Sequence, residues 1–204
     1  VLAYLFWHEP AVTVTPSVYE QELERFHHSL AHRPPSGFRG SASFRVAEPP
    51  WLGERPGAGA AETPSHPAHS YEDWYVVEDW SALGVLEEAA VASGHVSAHD
   101  AVASHAAGGS GGVYRLLEGS ASPELGELAI WVSATPAQER RSLEALLADG
   151  IEPSCGGLWR RCLALGVSPE YCVLADERPA GVAAGRLPAG WSAHAAGREL
   201  VGNG

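Results

Sequence analysis

The sequence predicts an α+β fold made of two tandem copies of one strand–helix unit, with the second copy truncated. Three observations predict it. The stretch FRGSASFRV alternates strictly: Phe38, Gly40, Ala42, Phe44 and Val46 share one face, and Arg39, Ser41, Ser43 and Arg45 share the other. That period of two belongs to a strand. Tyr19, Leu23, Phe26 and Leu30 recur at spacings of four, three and four, which puts them on one face of a helix. Finally, ELAIWVSATP follows the register of the opening YLFWHEP, with Trp131 matching Trp7 and a proline soon after each.

The remaining elements follow in chain order. YLFWH is a short apolar and aromatic run, which predicts a buried strand near residues 2–8, broken by Pro10 and Pro16. The helix carrying Tyr19 takes Ser17 as its N-cap and ends at PPSG. Residues 48–70 are rich in Pro, Gly and Ala and read as one long loop, a lid or an insertion. YEDWYVVED reads as a strand, and DWSALGVLEEAAV as a helix through Leu83, Leu86 and Ala90. Ser97 starts a second short helix. The glycines at 108, 109, 111 and 112 read as its C-cap and turn, and VYRLLEG as a strand.

This βαββαβ string is the ferredoxin-like unit. The second half repeats it more faintly. PAQERRSLEALLADG is a helix stopped by Gly150, CGGLWRRCLALG is a strand, and EYCVLADE resembles DWYVVEDW. RPAGVAAGRLPAG is too rich in Pro and Gly to continue as a helix, so the second copy reads as truncated. The expected division is residues 1–120 and 121–204.

Composition narrows the function classes. The net charge of −12 over 204 residues argues against nucleic acid or an anionic membrane surface as partner. All 13 basic residues are arginines. No apolar run approaches the roughly 18 residues of a membrane helix, and VLAYLFWHEP does not have the layout of a secretory leader. The reading is a soluble, cytoplasmic protein. Cys155, Cys162 and Cys172 lack zinc-site spacing and read as reduced, small apolar residues.

YLFWH, FRGSASFRV, and YEDWYVVEDWSALGVLEEAAV running into HDAVASHAAGGSGGVYRLLEG together resemble the dimeric α+β barrel superfamily. Its members include antibiotic-biosynthesis monooxygenase-like proteins, haem-degrading monooxygenases and chlorite dismutase-like proteins. The resemblance covers most of residues 1–118 and, faintly, 127–176. It implies an intramolecular barrel of two ferredoxin-like sheets around a shared cavity. It also implies that chemistry without a metal or flavin is open to the protein. Fold alone does not assign function.

The candidate site residues are Arg39 and Arg45 on the polar face of FRGSASFRV, Trp159 and Arg161 in the second half, and Arg115 and His99. If Phe38, Phe44 and Val46 pack under the helices, the arginines line the cavity and would hold a small aromatic or anionic molecule, since a guanidinium suits a carboxylate. The plain alternative is a solvated strand face whose arginines pair with the many acids. His95 and His99, like His28 and His32, are four apart, but neither pair has an obvious third ligand, so no metal site is expected. His66 and His69 form HxxH inside the long loop.

By the resemblance, His99 could be an axial haem ligand; otherwise no cofactor is expected. The glycine run follows a helix and leads into a strand, the reverse of a phosphate loop. No GxSxG sits between a strand and a helix. The functional expectation is a small-molecule-binding, monooxygenase-like protein. The rival is a non-catalytic structural or assembly protein with a filled barrel, and the third reading is a haem protein. Whether it is an enzyme, and whether two chains associate as a homodimer, stay open.

Overall fold

Eight strands form the molecule's frame in a computed structural model that describes residues 1–47, 49–52, 70–134, 156–177 and 190–204. They are β1 (Leu2–Pro10), β2 (Phe38–Val46), β3 (Ser70–Val77), β4 (Ala106–Gly119), β5 (Leu128–Ala134), β6 (Gly157–Ala164), β7 (Tyr171–Ala175) and β8 (Trp191–Asn203). Among the described residues three helices lie between them: α1 (Pro16–His32), α2 (Trp80–Ala92) and α3 (Val96–His105). The strands close into one antiparallel barrel in the order β1-β3-β2-β8-β5-β7-β6-β4.

This corrects the tandem ferredoxin-like expectation. The sheet is one continuous, closed barrel, not two α+β repeats meeting across a cavity, and among the described residues every helix lies before β4. Nor is the second half cut short in its strands. β8 pairs with both β2 and β5 and supplies one of the two seams that close the ring; β4 against β6 supplies the other. The predicted helix at 136–150, the body of the 48–70 loop with His66 and His69, and Cys155 lie outside the described residues.

The barrel interior follows from strand alternation. Ala3, Leu5 and Trp7 of β1, Ala42, Phe44 and Val46 of β2, Trp74 and Val76 of β3, and Trp131, Trp159, Cys172 and Leu174 from β5–β7 form one buried cluster. Five of the seven tryptophans belong to it, meeting edge to face: Trp7–Trp131 centroids are 4.9 Å apart and Trp74–Trp159 centroids 5.4 Å. β2 is thus a strand as its alternation predicts, but its faces are reversed. The apolar side fills the barrel, and Ser41, Ser43 and Arg45 point outward beneath α1.

One ion pair is sealed among these rings. Glu72 accepts the indole N–H of Trp7 at 3.1 Å and of Trp74 at 2.6 Å. Arg198 of β8 places its Nε 3.3 Å from Glu72, with both side chains at 0–1% exposure. Its guanidinium also lies 3.5 Å above the Phe44 ring and donates to the carbonyl oxygens of Pro123 and Gly126. Burial pushes the Arg198 guanidinium downward from its ordinary value, and Glu72 opposes that.

Outside, α1 buries Tyr19, Leu23, Phe26, His27 and Leu30, the stripe read from the sequence plus one histidine. Thr15 and not Ser17 is its N-cap, with Pro16 opening the first turn. Asp79 caps α2 by accepting from the Ala82 N–H. Among the described residues, no helix is long and apolar enough to cross a membrane.

Removing one partner of the sealed pair leaves a buried, uncompensated charge. Arg198→Leu is expected to cost about 3–5 kcal/mol in urea unfolding. A loss below about 1 kcal/mol would show that β8 is held by backbone pairing alone.

Candidate functional site

Strand alternation that sends tryptophans inward sends a different set outward. On β1 these are Tyr4, Phe6 and His8; on β3 they are Tyr71, Asp73 and Tyr75. The register places Tyr4 opposite Tyr75, Phe6 opposite Asp73 and His8 opposite Tyr71. The Tyr4 ring lies nearly parallel to Tyr75 (5.9 Å, 22°) and to Phe6 (6.3 Å, 29°), so the three form a continuous aromatic floor. Above it stand Phe26 of α1, Leu83, Leu86 and Ala90 of α2, and His99 and Ala103 of α3. The cavity between floor and helices measures about 640 Å³, within the range of small-molecule sites.

The glycine run has a different role from the turn expected. Residues 106–119 are strand β4, with Gly109 and Gly111 facing the floor. A Cβ on Gly109 would come within 2.5 Å of Phe6 Cζ and of the Trp7 carbonyl oxygen. One on Gly111 would lie 2.8 Å from the Leu5 carbonyl oxygen and 3.2 Å from Tyr4 Cε2. Missing side chains on β4 are therefore what seat the Tyr4 and Phe6 rings.

A buried polar network backs the floor. Asp73 faces His8 Nε2 at 3.2 Å through Oδ2 and His27 Nε2 at 3.7 Å through Oδ1. The imidazole Nδ1 atoms sit 2.6 Å from the Tyr19 hydroxyl (His8) and 2.7 Å from Ser41 Oγ (His27). Tyr75 donates its hydroxyl to Asp73 at 2.9 Å, and its ring stacks on His27 at 5.2 Å. Burial by itself pushes the Asp73 carboxyl up. The charge of His8 and the two imidazoles facing the carboxylate more than reverse that and hold it far below the usual carboxylate range. Burial first and Asp73 second push the Tyr75 phenol well up, and they push Tyr4 to about 12. The two imidazoles address different oxygens of Asp73. Among the described residues no group of three or more His, Cys, Asp or Glu could hold a metal ion.

The six residues singled out from the sequence do not share a cavity. Arg39 lies 3.6 Å from Glu78, both about half exposed. Arg45 binds Glu20 at 2.6 Å and Glu199 at 3.0 Å beside α1. Trp159 is sealed in the barrel, and Arg115 is exposed. Arg161 donates to the Ser168 carbonyl and, at 3.2 Å, to Ser168 Oγ. His99 does line the cavity, edge-on to Phe26 at 5.7 Å, with Nδ1 3.2 Å from Asp100. Among the described residues the lining holds no arginine to meet haem propionates and includes the acid Glu87, so these residues do not fit a haem.

Sequence reading missed Tyr4, Tyr75, His8, His27 and Asp73. Tyr4, Phe6 and His8 did carry a signal, since their alternation with Leu5 and Trp7 gives β1 two aromatic faces. Nothing in linear spacing joins His8, His27 and Asp73.

No protein-family model and no curated protein sequence matches the chain. Solved structures that share its fold include two that span nearly all of the chain. One, described as an anthrone oxidase-like protein, is 12% identical with a TM-score of 0.53; the match covers 100% of this chain and 92% of that one. The other, a putative monooxygenase from Lactobacillus acidophilus NCFM, is 10% identical with a TM-score of 0.53, covering 99% and 95%. At these identities the likeness concerns fold.

Two outcomes test this geometry. Gly109→Ala forces a methyl against a backbone carbonyl that cannot yield without disturbing β1. It should lower stability by about 1–3 kcal/mol and shrink the cavity by displacing Phe6, as read by thermal unfolding and a crystal structure. The depressed Asp73 carboxyl stabilises the fold fully above the ordinary carboxylate value of about 4 and loses that contribution as pH falls below it. Wild-type stability in urea should therefore drop on the acid side, and Asp73→Asn should flatten that slope.

Proposed function

We propose that the protein binds a flat, largely apolar aromatic molecule between the Tyr4–Phe6–Tyr75 floor and helices α1–α3, and acts on it as a monooxygenase-like protein. The observation that carries the binding half is the floor itself. Three rings stacked in a row beneath aliphatic side chains border a slot of about 640 Å³. Edge-to-face contact with that row of rings, between apolar walls, favours planar aromatic ligands over aliphatic chains. The monooxygenase half is supported by two fold neighbours, which are described as anthrone oxidase-like and as a putative monooxygenase.

The interior of the barrel suits no such ligand. It is occupied by Trp7, Trp74, Trp131, Trp159 and Phe44, and it encloses its own ion pair. That packing favours a second reading, a binding protein without catalysis, in which the outer slot alone is functional.

A hydroxylated polycyclic aromatic incubated with the protein under ¹⁸O₂ separates the two. A product carrying one labelled oxygen, lost in the cavity-filling variant Ala90→Trp, is the expected result. Binding without conversion leaves the non-catalytic reading, and unchanged affinity in Ala90→Trp removes the slot as the site.

A further inference from the structure

The slot's chemistry is uneven, and one side chain stands apart in it. Its polar lining comes from Tyr4, Tyr75, Glu87 and His99. The hydroxyl hydrogen of Tyr75 is committed to Asp73. Glu87 is an exposed acid on α2, and His99 sits against Asp100. Tyr4 is half-buried and lines the slot. Its hydroxyl makes no hydrogen bond among the described residues, and it is not sealed from solvent. Its ring is held in place by stacking on Phe6 and Tyr75 and by the close approach of the Gly111 backbone.

We propose that the Tyr4 hydroxyl is the ligand-orienting hydrogen-bond donor of this slot, and that it selects neutral aromatic molecules bearing a carbonyl-type acceptor over aromatic anions. This rests on the slot being the binding site. Three further observations agree. A phenol with no partner among the described residues, in a partly dry site, gains most from an acceptor brought by the ligand. Asp73, ionised on the same face of the sheet, joins burial in keeping the Tyr4 phenol protonated, so it remains a donor across the physiological range. The same negative charge, with Glu87 at the wall and no arginine among the described lining residues, disfavours a carboxylate. The anionic ligand expected from the arginines of β2 therefore has no counterpart at the slot, because those arginines are paired with Glu78, Glu20 and Glu199 elsewhere.

The test measures the affinities of three naphthalene probes by fluorescence: 2-ethylnaphthalene, its ketone analogue 2-acetylnaphthalene, and 2-naphthoate. Wild type should bind the ketone roughly five- to tenfold more tightly than the hydrocarbon, the scale of one hydrogen bond, and the naphthoate most weakly. Tyr4→Phe should reduce ketone affinity to that of the hydrocarbon and leave the hydrocarbon unchanged. The carbonyl stretch of the bound ketone should lie at lower frequency in wild type and return upward in Tyr4→Phe. Equal affinity for ketone and hydrocarbon in wild type, or a ketone preference that survives in Tyr4→Phe, would overturn the assignment while leaving the slot intact. Failure of even the hydrocarbon to bind would overturn the slot and this assignment together.

Discussion

The carboxylate of Glu72 is the point on which the closed barrel depends. It stands on β3, accepts from an indole of β1 and an indole of its own strand, and faces the guanidinium of Arg198 on β8. A carboxylate buried to that degree is tolerated only where its charge and lone pairs are met. Here the groups that meet it come from three strands and can converge only when the sheet has closed. The pair is therefore better understood as a registry device than as a source of stability. Arg198 can reach Glu72, the Phe44 ring and the Pro123 and Gly126 carbonyls only if β8 lies between β2 and β5 in its observed register.

Filling the barrel with tryptophan has a consequence for where a ligand can go. An eight-stranded barrel has room either for side chains or for one small guest, and five indoles with Phe44 and Tyr114 take that room. The open volume lies instead on the outer surface of β1, β3 and β4, where α1, α2 and α3 arch over the sheet. That outer surface has two layers of function. Tyr4, Phe6 and Tyr75 line the slot, and directly beside them Asp73, His8 and His27 tie the sheet to α1 through Tyr19 and Ser41. Helix packing and slot chemistry are thereby coupled, because Tyr75 belongs to both.

Much of the secondary structure was legible. The stripe of α1 and the alternation of β2 follow from periods of 3.6 and 2, which are local properties of the chain. What alternation does not state is which face is the inside. β2 is covered on both sides, by the barrel core on one and by α1 on the other, so Ser41 and Ser43 are as buried as Ala42. The arginine-lined cavity foundered on that ambiguity. β8 escaped notice for a related reason: the side chains on its inward-facing positions include His194, Ala196 and Arg198, and no apolar alternation marks a strand whose inner side holds a charge. The glycine run predicts a turn because glycine usually marks one; in the fold it makes room for neighbouring rings within a strand.

By itself the sequence determined the elements with strong periodicity, the acidic charge balance, and the aromatic wealth of β1 and β3. Tertiary structure alone decided that eight strands form one ring, that tryptophans fill it, and that the slot opens outside under the helices. The physical reason is that closure and cavity depend on groups far apart in the chain. Glu72 meets Arg198 across 126 residues (198 − 72), and Tyr4 meets Tyr75 across 71 (75 − 4); no local pattern records those meetings.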